Sequence, residues 1–122
     1  MRSRAPRHAD EDEAYEQLRW QLLGGPCQVC TAMHAAAADL LATGQIQRPL
    51  ALRCGGRATE LHHRRKRSSA GAKANPANVV PSCHDGNMAV EDHPLVARAA
   101  GMVVREGDAE WDALSTRAWR LA

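Results

Sequence analysis

The sequence predicts a single α+β domain stapled by a structural metal, and three observations carry that expectation. Apolar positions Ala14, Leu18 and Leu22 recur at helical spacing, and "TAMHAAAADLLATGQ" is rich in the strong helix formers Ala and Leu. In "ATELHHRRKRSSAG", Ala58, Glu60 and His62 alternate with Thr59, Leu61 and His63, the period of a strand. Four cysteines, Cys27, Cys30, Cys54 and Cys83, stand in a chain of 122 residues that has no Phe and one Tyr. Alanine supplies much of the apolar content and buries little area per residue, so a metal or a partner chain would help such a core.

Taken in order, residues 1–13 are expected to be a disordered charged arm, because basic and then acidic clusters leave nothing to bury. A first helix follows from about Glu13 to Leu23. "GGPCQVC" stops it and introduces a Cys-x-x-Cys turn, and a second helix closes at Gly44. Pro49 opens a new segment with a turn at Gly55-Gly56, then a strand, or a hairpin whose second strand carries the histidines. "KRSSAGAKANPAN" reads as a loop and "VVPSC" as a short second strand or extended stretch. A helix is expected from Asn87 onward, with Pro94 positioned to break it in two. "MVVRE" reads as a late strand, and residues 106–122 as a terminal helix or tail.

Charge is distributed unevenly. Eight basic residues against one acid stand between Arg48 and Lys73, a net +7, which leaves −5 for the rest of a chain whose total is +2. A segment so polarised suits a polyanion, of which nucleic acid is the usual one. No apolar run is long enough to span a bilayer, and the charged N-terminus has no apolar core of a secretory signal. The expected compartment is therefore the cytoplasm. Thiols stay reduced there, which favours metal ligation over disulfides, with unrelated buried thiols as the alternative.

The order of a paired histidine in "ELHHRR", then "NPANVVPSC", then "EDHP" resembles the HNH endonuclease family over Cys54 to Pro94. The resemblance is to small phage-type members. It implies a ββα-metal core over residues 51–105, behind a helical extension at 14–50 that carries the Cys-x-x-Cys. It also implies a metal-dependent DNA endonuclease in which His62 binds a divalent metal, His63 is the general base and Asn78 holds the loop and the base in place. Phosphodiester hydrolysis needs those parts: an imidazole to activate water, and a cation to relieve charge on phosphate. Adjacent strand residues face opposite ways, so the two histidines would hold separate jobs. A solvated histidine pair beside a basic loop is the competing reading.

Alignment on Asn78 puts Cys83 on the first cysteine of the family's third element, Gly86 on its second, Asn87 on the following histidine and Glu91 on the later one. Asn87 and Glu91, four apart on a helix, would complete the metal site, and such oxygen ligands suit Mg²⁺ or Mn²⁺. Ni²⁺ is a further candidate ion. A rival register uses His84, with His93 as an outside candidate. Cys27, Cys30, Cys54 and Cys83 would form a Cys₄ structural zinc site; a zinc held by Cys27 and Cys30 alone, or none, is the alternative. Arg64, Arg65, Lys66, Arg67 and Lys73, with Arg53 and Arg57 beside them, are expected to contact the phosphates of double-stranded DNA. The resemblance adds a phage terminase large subunit as a candidate partner. A non-catalytic zinc-stapled DNA-binding module on the same fold is the second reading.

Overall fold

The computed structural model describes residues 6–66 and 72–115. Its elements run α1 (Pro6–Leu22), α2 (Val29–Ala42), β1 (Glu60–His63), β2 (Val79–Ser82), α3 (His84–Asp92) and α4 (Pro94–Ala99). Short 3₁₀ turns lie at Ala72–Ala74, Pro76–Asn78 and Asp112–Leu114. The result is a small mixed α/β domain with one two-stranded sheet.

Helix α2 is the centre of the core. Val29, Met33, Ala37 and Leu40 recur at spacings of four, four and three, so they share one face, and that face is buried. It packs with Ala89 and Val90 of α3 and with Val96 and Ala97 of α4. The helix ends as its sequence suggests: Gly44 takes φ +76°, and Gln45 N–H turns back to Leu40 O at 2.8 Å. Small residues dominate this core, so the helices approach closely while burying little area each.

The strands pair antiparallel, with Glu60 opposite Ser82 and His63 opposite Val79. Helix α3 starts two residues after β2, with Cys83 as its N-cap; the Cys83 sulfur accepts the Gly86 N–H at 3.2 Å. Pro94 breaks the following helix as expected, ending α3 at Asp92 and supplying the first turn of α4. Among the described residues no helix is long and apolar enough to cross a membrane.

Four expectations are corrected. Helix α1 starts at Pro6, inside the stretch expected to be a disordered arm; Tyr15 and Leu18 are buried, and Asp12 pairs with Lys73 at 2.6 Å. The strand with the histidines pairs with Val79–Ser82 and not with the residues before Gly55; just ahead of it Arg57 forms an isolated bridge with Pro26. Helix α3 begins at His84, not Asn87, because the Cys83 cap starts it one turn earlier. "MVVRE" forms no strand. Its Val104 N–H bonds to Arg64 O at 2.9 Å, which ties an irregular segment to the end of β1. Of the expected terminal helix or tail, residues 106–115 form turns with a single 3₁₀ turn at Asp112–Leu114, and residues 116–122 lie outside the described residues.

Asn78 holds the connection between the strands. Its side chain is fully buried, accepts Arg65 N–H at 2.6 Å, and donates to Arg65 O at 2.9 Å and Ala72 O at 3.1 Å. All three are main-chain groups. Substitution Asn78→Ala strands them without water and should cost about 3 kcal/mol, read as a lower urea midpoint at unchanged slope.

Candidate functional site

The four cysteines, 56 residues apart at their extremes, converge. Their sulfurs all lie within 4.8 Å of one another, with Cys30 and Cys83 at 3.5 Å. The edge of a zinc–thiolate tetrahedron is about 3.8 Å, so the spacing fits such an ion. Three of the sulfurs accept a backbone N–H at 3.2 Å: Cys54 from Gly56, Cys27 from Cys83, and Cys83 from Gly86. Cys27, Cys30 and Cys83 are buried, whereas Cys54 is exposed.

Crowding of the four sulfurs perturbs their ionisation in opposite directions. Burial opposes a charged Cys27, but N–H donors from Cys30 and Cys83 and the neighbouring thiols outweigh it and lower its pKa to about 7. Burial then pushes the Cys30 thiol up, and the other three sulfurs add to that. At Cys54 the Gly56 N–H favours the thiolate, yet burial and Cys27 hold the group above its ordinary value. A zinc ion among them lets all four ionise, and these four cysteines could hold one.

Gly86 shows how the tetrad is completed. A Cβ built there would lie 2.8 Å from Cys30 Sγ and 3.0 Å from Ser82 Oγ. The space beside position 86 is therefore occupied by a sulfur that α2 supplies.

The second cluster lies on β1 and α3, at a cleft of about 630 Å³ lined by His62, His63, Asn87, Glu91 and Trp111 among others. His62 Nε2 is 2.6 Å from Met102 O, and since a carbonyl only accepts, this nitrogen carries the proton. In the neutral ring the lone pair is then on Nδ1, which faces Asn87 Oδ1 at 3.1 Å. The Asn87 amide cannot turn over to help, because its Nδ2 donates to Glu60 Oε2 at 2.8 Å. With that ring neutral, two acceptors point at each other, whereas a doubly protonated ring would donate from Nδ1 to Asn87 Oδ1. His63 is anchored separately: its Nε2 donates to Lys73 O at 2.9 Å, and its ring lies 5.7 Å from that of Tyr15.

This geometry favours Asn87 over His84 as the partner of His62. His84 is 70 % exposed, and its Nδ1 bonds to Glu60 Oε1 at 2.8 Å. That contact raises the His84 pKa and, with Asn87, lowers that of Glu60. His93 lines a different cleft, with Ile46 and Leu50. Glu60 was missed in the sequence, although its position two residues before His62 on the same strand face was the signal for it.

The basic run is mostly not on the surface. Arg65 is buried, stacks 3.7 Å over Trp111 and donates to Trp111 O at 2.7 Å. Arg64 donates to Gly101 O and Glu110 Oε2, both at 2.6 Å, and Lys73 is held by Asp12. These three fasten the C-terminal segment and α1 to the core; Lys66 is exposed, and Arg67 lies outside the described residues. No protein-family model, curated protein or solved structure matches this chain.

Metal analysis of the purified chain should find one zinc per molecule, lost in Cys83→Ser. Stripping it with a strong chelator should lower Tm by more than about 10 °C. Gly86→Ala, which drives a methyl into Cys30 Sγ, should weaken zinc retention although all four cysteines are kept.

Proposed function

We propose that this chain is a metal-dependent DNA endonuclease of the HNH type. The observation that carries the reading is the pair of facing acceptors, His62 Nδ1 and Asn87 Oδ1, 3.1 Å apart. Neighbouring ligands at ~2.1 Å from an octahedral cation stand about 3 Å apart, so this pair matches two donors to one ion. The groups behind them fit as well: Met102 O sets the His62 tautomer and Glu60 aims the Asn87 oxygen, the supporting contacts that metal ligands characteristically have. Glu91 stands one helical turn beyond Asn87 in the same cleft.

A divalent cation there, Mg²⁺, Mn²⁺ or Ni²⁺, would act as a Lewis acid toward the scissile phosphate. The rest of the chemistry belongs to the chain. His63 keeps its proton on Nε2 through Lys73 O, so Nδ1 is the atom that takes a proton from water as the water oxygen attacks phosphorus. The bond to the 3′-oxygen breaks, and the products carry 5′-phosphate and 3′-hydroxyl ends. Asn78 fixes the backbone of Arg65 and Ala72, and thereby the loop that presents Lys73 O to the base. Lys66, exposed at the cleft, is the cation of the basic run placed for a phosphate.

A non-catalytic zinc-stapled DNA-binding module remains the second reading. It is favoured by the third element, where an asparagine and an exposed glutamate stand in place of histidines. Incubation of supercoiled plasmid with Mg²⁺, Mn²⁺ or Ni²⁺ separates the two. The endonuclease should nick or linearise it, His63→Ala should lower the rate at least ~100-fold, and His62→Ala should raise the half-saturating metal concentration ~10–100-fold. Tight DNA binding with no cleavage under any of the three metals would leave the module.

A further inference from the structure

We infer that the segment joining α2 to β1 is a second phosphate-binding surface, with Arg48, Arg53 and Arg57 gripping the backbone of double-stranded DNA outside the cleavage site. This rests on the nuclease or DNA-binding reading above and adds where the duplex lies.

Three of the cations expected to meet DNA are used inside the fold. Arg48, Arg53 and Arg57, by contrast, are exposed, and among the described residues they form no hydrogen bond or ion pair. No acidic residue occurs from Leu40 to Thr59, so nothing in the segment neutralises them.

The segment is held firmly although it is irregular. Cys54 ties it to the sulfur cluster. Backbone bonds join Ala58 to Gly24 and Gly25 at 2.8 and 2.7 Å, Cys27 to Gly56 at 3.0 Å, and Thr59 to Ser82 at 3.0 Å. Leu50 and Leu52 pack against the core. Cations on a fixed backbone lose little freedom on binding.

Arg57 and His62 lie on one nearly extended stretch. Five residues at ~3.3 Å each put them about 17 Å apart, the axial length of about five nucleotides of one strand. A duplex centred on the histidines therefore has phosphates within reach of this segment, whereas a small phosphodiester in the cleft does not touch it.

The test is the triple variant R48A/R53A/R57A, compared with wild type for binding a labelled 20-base-pair duplex without divalent metal. The measurement is anisotropy over a range of salt, with zinc content as the control for folding. Affinity should fall at least ~10-fold, and the slope of log K against log salt should shrink by about 2–3, near 0.9 for each lost phosphate contact. The lysine triple R48K/R53K/R57K should keep the slope, because such contacts read charge. With bis(p-nitrophenyl) phosphate as substrate, the alanine variant should hydrolyse at the wild-type rate. Unchanged duplex affinity and slope would overturn the inference. So would a loss confined to a poly-glutamate competitor, which would assign the patch to an acidic protein. A wild type that binds through these arginines yet hydrolyses neither plasmid nor the small diester would end the catalytic reading and leave this surface standing.

Discussion

The convergence of four sulfurs is the constraint on which the rest of the structure depends. Cys27 and Cys30 come from the start of α2, Cys54 from the segment before β1, and Cys83 from the cap of α3. Cys83 is at once a member of the tetrad, the N-cap that starts α3, and the residue directly after β2. The direction of α3 is therefore set from the sulfur cluster, and with it the place where Asn87 meets His62. In a core whose buried residues are largely Ala, Val and Cys, apolar area alone is a weak source of such orientation.

A second layer of order comes from charged and amide side chains used as struts. Asn78 closes the loop after β1, Asn75 reaches Ala113 O and Ser115 O at 2.8 Å, and Arg65 lies over Trp111. Arg98 clamps Asp108, whose carboxyl is held well below the usual range by that guanidinium and by the Arg105 N–H. These contacts draw the irregular segment after α4 across the end of β1, so that it forms one wall of the histidine cleft. The polar groups thus do work that aromatic packing does in richer cores.

Much of this was legible in the sequence because local chemistry announced it. Period-two alternation marked the strand of His62 and His63, Pro94 marked the break between helices, and Gly44 marked the end of α2. The count of four cysteines pointed to the tetrad. Features that depend on distant partners were not legible. Arg64, Arg65 and Lys73 look like a solvated run until Glu110, Trp111 and Asp12 fold against them. The charged start of α1 looks unable to bury anything until Tyr15 and Leu18 find the Ala72–Ala74 turn. "MVVRE" has the composition of a strand, but its Val104 bonds to Arg64, past the end of β1.

The sulfur beside Gly86 bears on what counts as a separable unit. In a chain where each half of the tetrad sat within the hairpin and its helix, the residues before position 51 would be a dispensable ornament. Here half of the tetrad's sulfurs come from the first turn of α2 and the residues just before it, and Cys30 Sγ fills the space that a side chain at 86 would claim. A fragment trimmed to begin at 51 would carry two sulfurs, an uncovered α3 face and no means of replacing either. The helical extension and the histidine-bearing region are thus one indivisible folding body, and the smallest autonomous piece of this protein must reach back past Cys27.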